Sequence, residues 1–92
     1  EIAFYRDSQE VYYQSKSISL SKREFDLLYL LAKNENRIFS AEELYDYLYP
    51  VSSDVQLRSI TEYIYQIRQK FKTHQIDPIK TVWGGGYKWQ KK

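Results

Sequence analysis

The first twenty residues contain short apolar runs with the length and composition of β-strands. Residues 2–5 and 11–13 are rich in β-branched and aromatic side chains, and residues 6–10 between them have the composition of a turn. Residues 17–20 alternate between polar and apolar side chains, as a half-buried strand does. We therefore predict a small antiparallel β-meander at the N-terminus.

Helical spacing replaces this alternation at Ser21. A capping box of Ser21 and Glu24 precedes a wide apolar face, so we predict a first helix over residues 21–34. A second box begins at Ser40, and its helix ends by residue 49 because Pro50 lacks the N–H that a helix needs. The apolar edge predicted for this second helix consists of Leu44, Tyr47 and Leu48.

A third Ser-x-x-Gln pattern begins at Ser53, and nothing from there to Lys72 interrupts a helix. We predict a third helix of roughly 19 residues, about 28 Å long. One stripe of this helix is apolar at helical spacing and is predicted to be buried: Ile60, Ile64, Ile67 and Phe71, with Leu57 and Tyr63 beside them.

The chain closes with two β-prone runs, residues 79–83 and 87–89, joined by three glycines. Glycine supplies the positive φ of tight turns, so this segment predicts a β-hairpin. The predicted order of elements is β-β-β-α-α-α-β-β, a single α+β domain over residues 1–92.

Size and composition agree with one globular domain, since the 92 residues are 42% hydrophobic and 28% charged. No apolar run approaches the roughly 20 residues of a membrane span, and cysteine is absent, so we expect a soluble cytoplasmic protein without disulfides or a metal site. The sequence begins at Glu1 and contains no Met, from which we expect a fragment of a longer protein.

Charge is divided unequally between the two parts of the chain. Residues 1–57 carry six Lys and Arg against ten Asp and Glu, whereas residues 58–92 carry eight against two. A basic C-terminal part indicates a surface that faces a polyanion, although many folded domains also have a basic end.

The outward face of the third helix carries the candidate chemistry. Gln, Arg and Glu are side chains that contact base edges in the major groove, and Arg or Lys beside them would meet phosphates. An ordinary solvated helix face is the alternative interpretation. The outward positions are Arg58, Glu62, Tyr65, Gln66 and Gln69, and the flanking positions are Thr61, Arg68, Lys70 and Lys72.

The predicted hairpin adds a second candidate contact. Lys80, Thr81, Trp83 and Lys88 would suit a minor groove or a phosphate backbone. The alternative is a plain hairpin that packs on the core, and we expect Val82, Tyr87 and Trp89 to pack there in either case.

Three stretches of the chain, in this order, resemble the OmpR/PhoB family of winged-helix effector domains, the output domains of bacterial two-component response regulators. Residues 20–28 (LSKREFDLL) are similar to the family's first-helix pattern, and residues 58–71 (RSITEYIYQIRQKF) to its recognition helix. Residues 81–87 (TVWGGGY) are similar to its closing hairpin. The resemblance covers essentially the whole chain and implies a winged helix-turn-helix fold and sequence-specific binding of double-stranded DNA in transcription regulation.

Several positions depart from the family pattern. Ala41, Gln66 and Trp83 stand where basic residues are frequent, Thr61 replaces a frequent Asp, and Tyr49-Pro50 replaces Trp-Gly. Of these departures, Ala41, Gln66 and Trp83 remove positive charge from the surface that would face DNA. They imply that an isolated monomer attracts phosphates weakly.

The resemblance also implies roles for particular residues and partners. The third helix would lie in the major groove, and the hairpin residues Lys80, Thr81, Trp83, Gly84 and Gly85 would contact the adjacent minor groove or backbone. Two copies would bind direct repeats about 10 bp apart, and a histidine kinase would act through a receiver domain outside this sequence. No cofactor is implied. The segment implied to contact RNA polymerase consists of Tyr49, Pro50, Val51, Ser52 and Ser53.

Two other classes of function remain as alternatives. A protein-docking module would have an apolar or acidic face on the third helix, in contrast to the Gln, Tyr and Arg found there. An enzyme is disfavoured because the single histidine, His74, lies in a polar connection and no nucleophile–base pair is indicated.

Overall fold

The N-terminal strands form the antiparallel meander that their composition predicts. The computed structural model describes residues 1–51 and 53–90, and its elements follow the predicted order. Their bounds are β1 Ile2–Tyr5, β2 Glu10–Tyr13, β3 Lys16–Ile18, α1 Lys22–Lys33, α2 Ala41–Leu48, α3 Ser59–Lys72, β4 Ile79–Val82 and β5 Gly86–Trp89. In the first sheet β2 lies between β1 and β3, and Val11 faces Ile18 with both side chains buried.

The third strand ends at Ile18, two residues before the predicted end at residue 20. The chain leaves the sheet there because Ser21 caps α1. The Ser21 N–H donates to Glu24 Oε1 at 2.9 Å, and the Glu24 N–H donates to Ser21 Oγ at 3.2 Å. The first capping box is confirmed, and Asn34 ends the helix as expected.

The second capping box is confirmed in the same way at Ser40 and Glu43, with hydrogen bonds of 2.9 and 3.0 Å. The bond from the Ser40 backbone N–H, together with the guanidinium of Arg37, lowers the pKa of Glu43. Tyr47 is 51% exposed, so its predicted place on the buried edge of α2 is wrong. The buried positions are Leu44 and Leu48, and Tyr45 packs partly against the core.

The third capping box does not form, and the prediction of a helix of roughly 19 residues is wrong. Helix α3 begins at Ser59 and has 14 residues, and its N-cap, Arg58, makes no side-chain capping bond. Ser53 Oγ accepts from the N–H of Val55, two residues ahead, while Tyr45 donates its hydroxyl to the Val55 carbonyl. These bonds satisfy backbone groups locally in a non-helical connection, so no helix is needed to satisfy them.

The buried stripe of α3 is confirmed, since its four apolar residues at helical spacing are all at most 3% exposed. They join one core with the apolar face of α1 and with β2 and β4. Leu57, which was expected beside them, is 41% exposed because it precedes the helix. The stripe therefore fixes which side of α3 faces solvent.

The C-terminal hairpin is built onto the link between α1 and α2. Phe39 and Tyr87 exchange two backbone hydrogen bonds of 2.8 Å, so the link forms an isolated bridge with β5. Gly86, at φ 130°, allows this approach, because a Cβ atom there would lie 2.0 Å from the Phe39 carbonyl oxygen. Tyr87 and Trp89 pack against the core as predicted and fix the hairpin to the body of the domain, whereas Val82 is half-buried and lies outside this packing.

Candidate nucleic-acid interface

The outward face of α3 presents polar side chains to solvent at the positions that the periodicity predicts. Tyr65 is 55% exposed, and Gln66 is partly buried at the edge of the face. The other exposed candidate residues on this side of α3 are Arg58, Thr61, Glu62, Gln69 and Lys72. The described structure thus places these seven candidates on one continuous surface.

Lys70 forms an ion pair with a buried carboxylate. Its Nζ lies 2.6 Å from Glu24 Oε1, and the side chain of Glu24 is only 7% exposed. The same carboxylate accepts from the Ser21 N–H, so one buried group both caps α1 and holds α3. Lys70 therefore ties α3 to α1, and its ammonium already has a carboxylate partner.

Arg68 ties α3 to the hairpin. Its guanidinium donates to Asp77 Oδ1 at 3.2 Å, to the Ile79 carbonyl at 2.7 Å and to Thr81 Oγ1 at 3.0 Å. Arg has five donors, so three contacts leave capacity for a further acceptor. The main effect of these bonds is to hold β4 at a fixed position beside α3.

We call residues 79–89, which comprise β4, its turn and β5, the wing. Lys80 lies directly opposite Lys88 across the two strands. Like charges in such a cross-strand pair destabilise a sheet, and an anion beside them would relieve the repulsion. The charge pattern along the sequence does not reveal this pairing, because the register of the strands depends on the length of the turn.

The side chain of Trp83, in the turn of the wing, is exposed to solvent. Trp83 is 94% exposed, and a Cβ atom added at the following Gly84, which has φ 79°, would meet nothing within 4 Å. On the other side of the turn, a Cβ atom at Gly85 would touch Ile38 and Val82 at 3.4 and 3.5 Å. The turn is therefore supported from one side and open on the other.

The segment between α2 and α3 is anchored by a group of tyrosines that the sequence patterns did not indicate. The hydroxyls of Tyr49 and Tyr63 lie 2.5 Å apart. Arg23 stacks on the Tyr49 ring at 4.5 Å and donates to the Leu48 carbonyl at 2.8 Å. Burial, with the neighbouring Tyr49 hydroxyl, raises the pKa of Tyr63 to about 12.

The predicted polymerase-contact segment is only partly anchored in this way. Tyr49 is held at its start, whereas Pro50 and Ser53 are exposed and Val51 is 77% exposed. Ser52 lies outside the described residues. The exposed part follows directly on the end of α2, and it stands apart from the outward face of α3 in the sequence.

The single histidine of the chain has a packing contact. His74 packs edge-on against Tyr13 with ring centroids 6.1 Å apart. Within residues 1–51 and 53–90 no three His, Asp or Glu side chains are grouped as a metal site would require. The helices of this part of the chain are also too short or too polar to cross a bilayer.

Three helices, an N-terminal sheet and a C-terminal hairpin beside the last helix define a winged helix-turn-helix domain. The family model described as "Transcriptional regulatory protein, C terminal" matches residues 15–89. The chain belongs to this family of OmpR/PhoB-type DNA-binding domains, as the three sequence motifs predicted.

Individual relatives agree with this assignment. The chain is 42% identical over 87 residues to the transcriptional regulatory protein SpaR of Bacillus subtilis, covering 95% of this chain and 40% of SpaR. It is 44% identical over 88 residues to the nisin biosynthesis regulatory protein NisR of Lactococcus lactis subsp. lactis, covering 96% of this chain and 38% of NisR. The chain thus spans about two fifths of the length of these relatives.

A solved structure shows the same architecture with DNA present. The DNA-binding domain of Klebsiella pneumoniae RstA, in complex with the RstA box, superimposes with a TM-score of 0.80 at 27% identity. The match covers 96% of this chain and 89% of the RstA chain. The winged helix-turn-helix fold predicted from the sequence is confirmed.

Proposed function

We propose that this domain binds double-stranded promoter DNA with α3 in the major groove and thereby regulates transcription. The observation that carries the proposal is the exposed polar face of α3 opposite its buried apolar stripe. On this face Glu62, Tyr65 and Gln66, with Thr61 and Gln69, contact base edges. Amide, carboxylate and hydroxyl groups are suited to this role because each base pair presents a distinct set of donors and acceptors there.

The contacts that position the helix come from cations next to this face. Arg58 and Lys72 are exposed at opposite ends of α3, and no ion pair is formed by either among the described residues. Arg68 and Lys70, which the sequence also suggested as phosphate contacts, act in this proposal mainly by holding α3 to the wing and to α1. Any phosphate contact by Arg68 would use the donor capacity that its internal bonds leave free.

The wing supplies a second contact with the DNA. Lys80, Thr81, Trp83, Gly84 and Gly85 lie along or at the tip of the hairpin that Arg68 fixes beside α3. The Lys80–Lys88 pair supports this placement, since a phosphate would relieve its repulsion. The wing therefore meets the backbone or the minor groove next to the bases that α3 contacts.

The remaining parts of the proposal concern the longer protein. We infer a cytoplasmic response regulator in which this domain follows a receiver domain that a histidine kinase phosphorylates. The family match and the two-fifths coverage of SpaR and NisR support this arrangement. Two copies bind direct repeats, residues 49–53 contact RNA polymerase, and the domain itself performs no catalysis.

A salt titration tests the DNA contact. The chain first selects its preferred duplex from a randomised pool, and the affinity for that duplex is then measured by fluorescence anisotropy at several salt concentrations. Each phosphate contact releases counterions and adds about 0.9 to the slope of log K against log salt. We expect a slope of about −3 to −4 for contacts by Arg58, Lys72 and the two wing lysines.

Two matched variants show which lysine contributes to that slope. Lys72→Ala should reduce it by about one unit for every DNA sequence. Lys16→Ala removes the same charge from β3, outside the proposed interface, and should leave the slope unchanged. An affinity that does not respond to salt, or an equal effect of both variants, would contradict the proposed interface.

A further inference from the structure

Trp83 is the most exposed large apolar side chain among the described residues, at 94%. The other tryptophan, Trp89, packs against the core and lies 6.0 Å from the ring of Phe4. An indole has roughly 200 Å² of surface, most of it apolar, and this is unfavourable to leave in water. The packing of the domain itself gives no role to the side chain of Trp83.

Both strands of the wing are joined to the body of the domain, although the side chain of Trp83 at its turn is exposed. Phe39 and Tyr87 join β5 to the α1–α2 link by two hydrogen bonds, and at Gly86 the two backbones are so close that a Cβ atom would lie 2.0 Å from the Phe39 carbonyl oxygen. Arg68 joins β4 to α3 through the Ile79 carbonyl and the Thr81 hydroxyl. The hairpin that carries Trp83 is therefore attached both to α3 and to the α1–α2 link.

The charged side chains of the wing itself are both basic. Residues 78–90 contain no Asp or Glu, and their two charged residues are Lys80 and Lys88, which face each other across the hairpin. An apolar protein surface would bury the indole but would leave this lysine pair without an anion. A nucleic acid offers both an apolar contact between its bases and phosphates beside it.

We propose that Trp83 is an apolar wedge that enters the minor groove and selects an easily deformed base step beside the sequence contacted by α3. The inference rests on the proposed function and adds a source of specificity to it. Apolar side chains that enter the minor groove partly unstack a base step, and pyrimidine–purine steps such as TA unstack most easily. Because the indole carries no charge, its contribution to affinity is independent of salt.

The position of the indole can be followed by its own fluorescence. In a Trp89→Phe chain, Trp83 is the only tryptophan, and circular dichroism checks that this chain keeps its fold. Binding of the selected duplex should quench the emission of Trp83 and protect it from iodide. Emission and iodide quenching that stay unchanged while anisotropy reports binding would overturn the proposal.

An affinity series in the otherwise unaltered chain tests selectivity without relying on the Trp89 variant. Each dinucleotide step flanking the selected core is changed in turn to TA or to AA. At one position the parent chain should prefer TA, and Trp83→Ala should abolish this preference and weaken TA binding by about tenfold, within the range for base–aromatic stacking. The salt slope should remain that of the parent.

The matched variant is Lys80→Ala, which should lower the slope by about one unit and keep the preference for TA. If Trp83→Ala keeps the preference for TA, or if the parent chain prefers no step, the proposal that Trp83 acts as a wedge is overturned. The proposed DNA-binding function would not be affected by either result. Failure of the parent chain to bind any selected duplex would instead overturn the proposed function itself.

Discussion

Replacing Lys70 with alanine should destabilise the domain and leave its DNA contact nearly intact. Lys70 lies on the helix proposed to enter the major groove, and its charge alone would suggest a phosphate contact. Its ammonium is instead 2.6 Å from a carboxylate whose side chain is 7% exposed. The substitution therefore separates a structural role of this cation from a DNA-binding role.

The expected loss of stability lies between two limits. Removing one partner of a fully buried ion pair costs about 3–5 kcal/mol, because the other charge stays buried without a partner. An exposed pair is worth about 1 kcal/mol or less. Glu24 is buried, but the Lys70 side chain is 36% exposed, and Glu24 keeps its bond from the Ser21 N–H. We therefore expect Lys70→Ala to lower the free energy of unfolding by about 2 kcal/mol.

Lys72→Ala is the matched control, two residues further along the same helix and exposed. Urea unfolding followed by far-ultraviolet circular dichroism should show a change within about 0.5 kcal/mol for this variant. The salt slope for DNA should show the reverse ranking, with about one unit lost for Lys72→Ala and almost none for Lys70→Ala. Lys70→Ala with unchanged stability and a reduced slope would refute the reasoning.

A double-mutant cycle isolates the pair itself. Glu24→Gln removes the negative charge, and a Gln at this helix position can still complete a capping box with Ser21. In the Glu24→Gln background, Lys70→Ala should cost at least 1 kcal/mol less than in the parent chain. Additive effects would mean that Lys70 stabilises the domain by packing and not through Glu24.

Three further outcomes concern the glycines of the wing, the helix caps and the hydroxyl of Tyr63. Gly86→Ala should cost at least about 3 kcal/mol in urea unfolding, since its Cβ would lie 2.0 Å from a carbonyl oxygen, whereas Gly84→Ala has free space and should cost only about 1 kcal/mol for its positive φ. Ser40→Ala should lower the free energy of unfolding by about 1 kcal/mol through loss of a cap, and Ser53→Ala by less than about 0.5 kcal/mol because no helix begins there. Equal losses for the two variants would indicate that α3 does begin at Ser53. The pKa of Tyr63 rises from 10.0 unfolded to about 12 folded, so its neutral hydroxyl contributes stability that is complete below pH 10 and is lost as pH rises through 12. Tyr63→Phe should show a smaller loss of stability over that interval in parallel urea titrations, and equal losses would contradict the assigned cause.

The elements of the fold were predictable wherever two signals in the sequence agreed. At Ser21 and Ser40 a capping pattern is followed at once by apolar residues at helical spacing, and both helices begin there. At Ser53 the capping pattern stands alone, since the buried residues of the stripe begin only at Ile60. Leu57, three residues before Ile60, also fits the helical spacing but is exposed, so the periodicity alone would have started α3 too early.

The outward face of α3 was likewise predictable, because the buried stripe of a helix determines its opposite side. The partners of its cations were not. Lys70 meets Glu24 across 46 positions of sequence, and Arg68 meets the backbone of Ile79 across 11. Such pairings depend on how α1, α3 and β4 pack together, and neither helical spacing nor net charge carries that information.

These internal partners change the electrostatics expected of the DNA-facing surface. Residues 58–92 carry eight Lys and Arg, but Lys70 and Arg68 are held by Glu24 and Asp77. Among the described residues of this region, four cations remain without an ion pair: Arg58, Lys72, Lys80 and Lys88. Four phosphate contacts predict a salt slope of about −3 to −4, less than half of the slope of about −10 that a strongly electrostatic DNA-binding protein shows. Two copies on direct repeats would double the number of contacts, and the second copy would bind at a high effective concentration once the first is in place. If two copies bind as proposed, a weakly charged surface would make occupancy depend on bringing them together, and this is the step that the proposed receiver domain would control.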